Sequence, residues 1–350
     1  MSETTSAQVI IIGGGPAGYT AALYSARARL EPICFEGYAS GGQIARSARV
    51  ENFPGHVGGI SGAELSDLIR QQAVDFGATV ITDDVASVDL SAAPFQVKTA
   101  DRAYAADAVI AATGASSRRL GLASEDEYDG RGVCYCAVCD GPFFADQRVV
   151  VVGGGDAAAE EALMLSNIAD SVVMVHRRRD FRATASILAA VADTANIRML
   201  TPVVVDEILG EELGVTGVRV RDIESGAETI LPAEGVFVAI GHEPASGMFT
   251  TWLEADEHGF LQTADGTTET RVPGVFVAGD VGDPRYRQAI TAAASGCTAA
   301  IDAERWLMSR RGRRAADVRA EILDVAQKNA GLNAPAAPAT DVTGKRLSTH

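Results

Sequence analysis

Twice in this chain a run of apolar, mostly β-branched residues stops at three glycines and gives way to an alanine-rich stretch. The first is Val9-Ile10-Ile11-Ile12 followed by Gly13-Gly14-Gly15-Pro16-Ala17-Gly18. The second is Val149-Val150-Val151-Val152 followed by Gly153-Gly154-Gly155-Asp156-Ala157-Ala158. A buried-type strand, a G-x-G-x-x-G/A loop and a helix in that order make the turn of a βαβ unit that binds a dinucleotide. In the first loop Gly13 allows the tight turn, Gly15 lets a pyrophosphate approach the backbone, and Gly18 lets helix and strand pack closely. The helix N-terminus, expected from about Tyr19, then faces the phosphates. The expected fold class is therefore α/β with two Rossmann-like, three-layer dinucleotide-binding domains.

The strands that follow the loops separate the two nucleotides. Pro32 to Phe35 ends at Glu36, 23 positions after Gly13, where a carboxylate accepts hydrogen bonds from a ribose. Ser171 to Val175 ends at His176-Arg177-Arg178-Arg179-Asp180-Phe181-Arg182. Arginines at that place suit a 2′-phosphate, hence NADP rather than NAD.

Between the two units lies Cys136-Ala137-Val138-Cys139-Asp140. A Cys-x-x-Cys pair suits thiol–disulfide exchange, since one thiolate attacks a partner and the second resolves the mixed disulfide. Asp140 is placed to supply or remove the proton. A dithiol between two dinucleotide signatures implies electrons passing from one nucleotide, through a second, to sulfur.

Composition narrows the setting. At 350 residues two domains are expected, and 47% hydrophobic residues suffice for their cores. The formal net charge is −16 with only three lysines, Lys98, Lys328 and Lys345, which argues against nucleic acid and anionic membranes as partners. No signal peptide and no 18-residue apolar span are legible, so the expected location is cytoplasmic. Five cysteines, three of them clustered, point to redox or metal use rather than a structural disulfide framework.

Along the chain, 61 to 76 reads as an amphipathic helix, 78 to 110 as short strands, and 115 to 130 as a polar linker. Ala108 to Ala112 is a buried strand ending at Thr113-Gly114, and Val275 to Ala278 another ending at Gly279-Asp280. Residues 186 to 240 read as a helix followed by alternating strands. Arg287-Gln288-Ala289 opens an alanine-rich helix to about Leu307, 309 to 330 forms a further helix, and the tail is disordered.

Together these residues resemble the low-molecular-weight thioredoxin reductases of bacteria and archaea. The match runs from about 8 to 308 and rests on Gly13 to Gly18, Gly41-Gly42-Gln43, Ala112-Thr113-Gly114, Cys136 to Asp140, Gly153 to Ala158, His176 to Arg182, Ala278-Gly279-Asp280 and Tyr286 to Ala289. The resemblance implies an FAD domain of 1–116 plus 247–320, an inserted NADPH and disulfide domain of 117–246, and a C-terminal extension of 321–350. It places Gly13, Gly15, Pro16, Ala17, Gly18, Glu36, Gly42, Gln43, Asn52, Thr113, Gly114, Gly279, Asp280, Arg287, Gln288 and Ala289 against FAD. Gly153, Gly155, Asp156, Ala158, His176, Arg177, Arg178 and Arg182 would meet NADPH, and no metal is implied. Cys139 corresponds to the flavin-proximal thiol, Cys136 to the attacking thiol and Asp140 to the acid. The implied activity is thioredoxin-disulfide reduction by a homodimer whose inserted domain rotates about Ser116-Ser117 and Glu243-Pro244-Ala245.

Two features depart from the pattern. Cys134 stands where a small polar residue is expected, and the tail carries no Cys-Gly-Pro-Cys module. The rival readings are a flavoprotein dithiol oxidase or a ferredoxin-fed disulfide reductase, both disfavoured by the intact second glycine loop and its arginines. A peroxiredoxin-system reductase is disfavoured by a chain that starts at the first strand. A zinc module on Cys134, Cys136 and Cys139 lacks a fourth ligand nearby.

Overall fold

The structure, a computed structural model, describes residues 4–332, with side chains as far as residue 312. Two sheets dominate it, one mixed and one all parallel, each built on one of the glycine loops. The first body begins with β1 (Thr5–Ile12), α1 (Pro16–Arg27), β2 (Ile33–Phe35), α2 (Gly62–Asp75), β3 (Thr79–Ile81), β4 (Ser87–Asp89), β5 (Phe95–Lys98) and β6 (Ala103–Ala111). The second comprises β7 (Ala115–Ser117), α3 (Ala123–Glu127), β8 (Val133–Cys134), α4 (Ala137–Asp140), β9 (Arg148–Val152), α5 (Asp156–Ser166), β10 (Ser171–Val175), α6 (Ala185–Asp193), β11 (Ile197–Leu200), β12 (Val203–Glu211), β13 (Gly214–Asp222), β14 (Glu228–Pro232), β15 (Gly235–Val238) and β16 (His242–Pro244). The chain then returns to the first body with β17 (Val275–Val277) and α7 (Ala289–Leu332).

The first sheet has the order β3-β2-β1-β6-β5-β4, with β17 also pairing β6. Nine-residue β6 serves two partners on one edge. Its Ala103–Ala106 half pairs antiparallel with β5, and its Val109–Ala111 half pairs parallel with β17. The return strand thus lands beside the first glycine loop. The second sheet is all parallel, in the order β11-β10-β9-β15-β8, with the β12-β13-β14 meander as a separate antiparallel sheet. The two chain crossings pair with each other as a short ribbon, with Ser116 opposite Glu243 and Ala115 opposite Pro244.

Local chemistry explains the element starts. The first loop helix begins earlier than expected from sequence, α1 at Pro16, and α5 likewise begins directly after its third glycine, at Asp156. Proline at the first helical position has the required φ and forfeits only an N–H that would be unpaired there. Ser61 caps α2, accepting from the Glu64 N–H at 3.2 Å, the first half of a capping box.

Two expectations are corrected. Residues 115–130 are not a free linker, because they form β7 and α3 around a fully buried Glu125. Its carboxylate accepts from the N–H groups of Leu120 and Gly121 and from the Tyr135 hydroxyl at 2.9 to 3.0 Å. The polar composition here includes a buried carboxylate satisfied by backbone and hydroxyl donors. Near the C-terminus, α7 runs unbroken to Leu332, so 321–332 are helical and 309–330 is no separate helix. No proline interrupts this stretch of alanine, arginine, glutamate and leucine, all good helix formers. The expected disorder beyond 332 lies outside the described residues. From Arg305 onward the chain forms a unit of its own, in which the Arg310 guanidinium lies 4.9 Å from the Trp306 ring centroid.

Candidate redox site

The first glycine loop is locked by backbone contacts that tolerate no side chain. A Cβ on Gly13 would lie 2.0 Å from the Ala112 carbonyl oxygen, and one on Gly18 would lie 1.9 Å from that of Gly13. Around this loop the structure gathers the expected first-body residues. Gly42 lies against Gly15, Gly279 against Ala17, and Gly14 against Glu36. The Thr113 hydroxyl, next to Gly114, donates to the Ala245 carbonyl at 2.7 Å.

Glu36 is buried and heavily engaged. It accepts from Tyr19 Oη at 2.7 Å, from Arg70 Nε and Nη2 at 2.7 and 3.0 Å, and from Thr82 Oγ1 at 2.5 Å. Burial alone would raise its carboxyl, but these donors outweigh it and hold the pKa at about 2. Four donors fill the acceptor positions a carboxylate offers. Tyr19, Arg70 and Thr82 lie 17 to 46 positions from Glu36, and no sequence motif marks them as its partners.

In the second body, the loop after β9 packs under the arginine segment. Arg182 N–H donates to the Gly154 carbonyl at 2.6 Å, and Asp156 Oδ1 accepts from the Thr184 N–H at 2.6 Å. Gly153 lies against Ala158. His176 is buried, stacked on Phe181 at 5.2 Å, and its Nε2 has no protein partner. Burial, reinforced by the charges of Arg182 and Arg178, lowers its pKa. Arg177, Arg178 and Arg182 are exposed beside it.

Cys136 and Cys139 form a disulfide, with Cα atoms 5.3 Å apart. Cys136 caps the single-turn α4, and the Cys139 N–H points to its Sγ at 3.1 Å. Gln288, from the N-terminal edge of α7, brings Nε2 within 3.6 Å of Cys136 Sγ and 3.8 Å of Cys139 Sγ. Asn52 Nδ2 in turn donates to Gln288 Oε1 at 3.4 Å. Two residues expected at a flavin therefore meet at the disulfide, which places the dithiol against the first body. Ala289 begins α7, and Arg287 adopts a positive φ of 47° while its N–H donates to Asp283 Oδ2 at 3.0 Å.

Asp140 closes α4, directly after Cys139. Burial pushes its carboxyl up to about 6, the Cys134 thiol opposes this by donating a hydrogen bond, and the Asp129 charge adds to the rise. Cys134 is itself buried, and its thiol is pushed well up by burial and by Asp140. With Cys136 and Cys139 bonded to each other, Cys134 stands apart as the donor to the acid. Glu161, on α5, was not foreseen. Burial raises its carboxyl to about 7 against the pull of Arg287 and of the Ala137 N–H, and its Oε2 is buried without a partner. Its only sequence signal is an acid on the alanine-rich face of α5. Asp280 has a partnerless buried Oδ1 and a pKa raised to about 6 by burial and by Asp283.

Residues 7–296 match the family model of pyridine nucleotide-disulphide oxidoreductases. The thioredoxin reductase of Vibrio cholerae is 46% identical over 317 residues, covering 89% of this chain and 99% of that protein. Among solved structures, thioredoxin reductase from Giardia duodenalis superposes with a TM-score of 0.84 at 42% identity, covering 87% of this chain and all of that one. Lactococcus lactis thioredoxin reductase, described as in an FR conformation, covers as much of this chain at 35% identity and 99% of its own, yet scores only 0.59. With two glycine-loop bodies, a disulfide carried by the second and relatives of this kind over almost the whole length, the chain belongs to the pyridine nucleotide-disulphide oxidoreductases, among the low-molecular-weight thioredoxin reductases.

Proposed function

We propose that this thioredoxin reductase takes its electrons from NADPH, uses FAD as the intermediate carrier, and delivers them through Cys136 and Cys139 to thioredoxin. The observation that carries the reading is the Cys136–Cys139 disulfide held by Gln288 against the body of the first glycine loop. Space around Gly155 is open to 4 Å, and the lone neighbour of a Cβ on Gly15 would be Gly42 Cα at 3.7 Å, which fits close approach of a phosphate at each loop. The partnerless Asp280 Oδ1 and His176 Nε2 fit polar groups of bound cofactors.

In this reading Gly13, Gly15, Pro16, Ala17, Gly18, Gly42, Gln43, Asn52, Thr113, Gly114, Gly279, Asp280, Arg287, Gln288 and Ala289 hold FAD. Glu36, at the end of β2 beside Gly14, is the proposed ribose acceptor of the same FAD. Gly153, Gly155, Asp156, Ala158, His176, Arg177, Arg178 and Arg182 hold NADPH, the arginines on its 2′-phosphate. When bound, the two cofactors supply hydride transfer and the electron pair that opens the disulfide. Cys136 then attacks one sulfur of oxidised thioredoxin. Its Sγ–S bond forms as thioredoxin's S–S bond breaks, and the second thioredoxin sulfur leaves as a thiolate that takes a proton. Cys139 next attacks Cys136 Sγ, closing the ring and releasing the second thiol. Asp140 handles the proton at the sulfurs.

Because the disulfide faces Gln288 in this arrangement, thioredoxin reaches Cys136 only after the second body turns. The β7–β16 ribbon is the proposed hinge, and the two TM-scores among relatives of similar coverage support two arrangements. The proposed assembly is a cytoplasmic homodimer with no nucleic-acid or membrane partner; among the described residues no helix is long and apolar enough to cross a membrane.

The test is anaerobic. NADPH should bleach the flavin band of the purified protein, and oxidised thioredoxin should restore it. Cys136→Ser should abolish the recovery but not the bleaching. A flavin that NADPH leaves unbleached would sink the nicotinamide assignment. Replacing Arg177 and Arg178 with alanine should weaken the use of NADPH far more than that of NADH; equal losses would count against the 2′-phosphate contact.

A further inference from the structure

The seam between the two bodies carries charges that no glycine loop or dithiol motif accounts for. Arg46 closes the short 3-10 helix Gln43–Arg46 of the first body. Its guanidinium Nη2 forms an ion pair with Asp129 Oδ2, which belongs to the second body. Asp129 is held in place from its own side, because Arg119 Nη1 donates to the same oxygen at 3.0 Å while bridging to Asp126 at 2.9 Å. A backbone β-bridge from Asp129 to Val133 ties the Asp129 main chain to the start of β8, the strand that runs into Cys134, Tyr135 and Cys136. Asp129 also reaches the redox site electrostatically, raising both Asp140 and Cys134. The Arg46–Asp129 pair thus joins the segment leading to the disulfide to the loop that carries Gln43.

We infer that Arg46 is a positioning residue whose ion pair with Asp129 holds the arrangement in which the disulfide lies against Gln288. Turning the second body about the β7–β16 ribbon breaks this pair, since its partners sit on opposite sides of the seam. Relatives of near-equal coverage solved with TM-scores of 0.84 and 0.59 fit two arrangements of the bodies, and an ion pair made in only one of them biases the populations toward it. Arg46 is half exposed and Asp129 a quarter, so the pair contributes on the scale of a surface ion pair, a population shift of about twofold to fivefold. That is enough to move a rate and too little to decide whether the protein folds.

The inference rests on the proposed rotation and on NADPH as donor, so its test has two arms. In the first, the flavin-loaded protein is reduced with dithiothreitol. Alkylation of Cys136 by iodoacetamide is then followed by peptide mass spectrometry. Arg46→Ala should speed alkylation about threefold at low salt, Arg46→Lys should stay near wild type, and wild type should approach Arg46→Ala near 1 M salt, where screening acts within about 3 Å. In the second arm, saturating NADPH should bleach the flavin of Arg46→Ala faster by a similar factor. Thermal melting of Arg46→Ala should match wild type. Equal Cys136 alkylation in wild type and Arg46→Ala, with the same salt response, overturns the latch. If alkylation separates the two proteins while NADPH bleaches neither, the latch stands and the nicotinamide assignment falls.

Discussion

At the scale of single residues, two carboxylates show how one functional group is set to opposite tasks by its surroundings. Glu36 is held at about 2 by Arg70, Thr82 and Tyr19 despite its burial, whereas burial holds Asp140 at about 6 with Cys134 as donor. Glu36 therefore stabilises the fold. Its folded pKa lies below its unfolded value, so its contribution is fully present above about pH 4.5 and is lost as pH falls towards 2. Glu36→Gln should cost about 2–3 kcal/mol at pH 7 and less than about 1 kcal/mol near pH 2.5, as read by denaturant melts across that range. An equal cost at both pH values would mean that packing, not charge, carries the effect. In the proposed mechanism Asp140 carries the proton at the sulfurs, and a carboxyl raised to about 6 suits that role. The Cys134 hydrogen bond pulls its pKa down, so Cys134→Val should move the pH limb of flavin re-oxidation by thioredoxin above 6, while Asp140→Asn should remove that limb. A profile identical in wild type and Cys134→Val would show that the thiol does not tune the acid.

Among the secondary-structure elements, what could be read from sequence divides by range. The loops at Gly13 and Gly153 were legible because strand, turn and helix lie within twenty residues and each glycine answers a local steric demand. The buried strands, the α2 helix and the dithiol were legible for the same reason. What escaped depends on contacts between distant segments: the shared edge of β6, the paired crossings of the ribbon, the donors to Glu36 and the Arg46–Asp129 pair. Gly296 belongs with these. It looks like a helix-weakening residue in an alanine-rich run, yet it is where α7 meets α1, and a Cβ there would lie 2.1 Å from the Ala17 carbonyl oxygen. Gly312, in the same helix, has no atom within 4 Å of such a Cβ. The two alanine substitutions should therefore have opposite signs. Gly312→Ala should stabilise by up to about 1 kcal/mol through helix propensity. Gly296→Ala should destabilise by about 1–3 kcal/mol because the helices must separate or the backbone must shift. Melting curves of the two variants check this, and a stabilised Gly296→Ala would show that α7 is free to move from α1.

At the scale of the whole molecule, the rotation proposed for catalysis requires two bodies that can turn past each other without unfolding. Three buried clusters among the described residues respect the seam: one draws only on residues between Ala7 and Ala111 and between Met248 and Val281, and two only on residues between Leu120 and Ile240. Among the described residues no strand of either main sheet crosses between them, and the chain enters and leaves the second body through neighbouring strands, with Ala115 opposite Pro244. A segment with its own cores and adjacent ends meets the physical requirements of an autonomous domain. The segment 115–246, expressed alone, should then unfold in a single cooperative transition and stabilise on adding NADP⁺. Because the first glycine loop and Asp280 are absent from it, it should purify without flavin colour. NAD⁺ should stabilise it less, since the arginines after β10 would have no 2′-phosphate to meet. An uncooperative melt would show that the seam is part of the fold rather than a surface over which one body moves. The rotation proposed for catalysis would then have to be abandoned in favour of a smaller local opening around the disulfide.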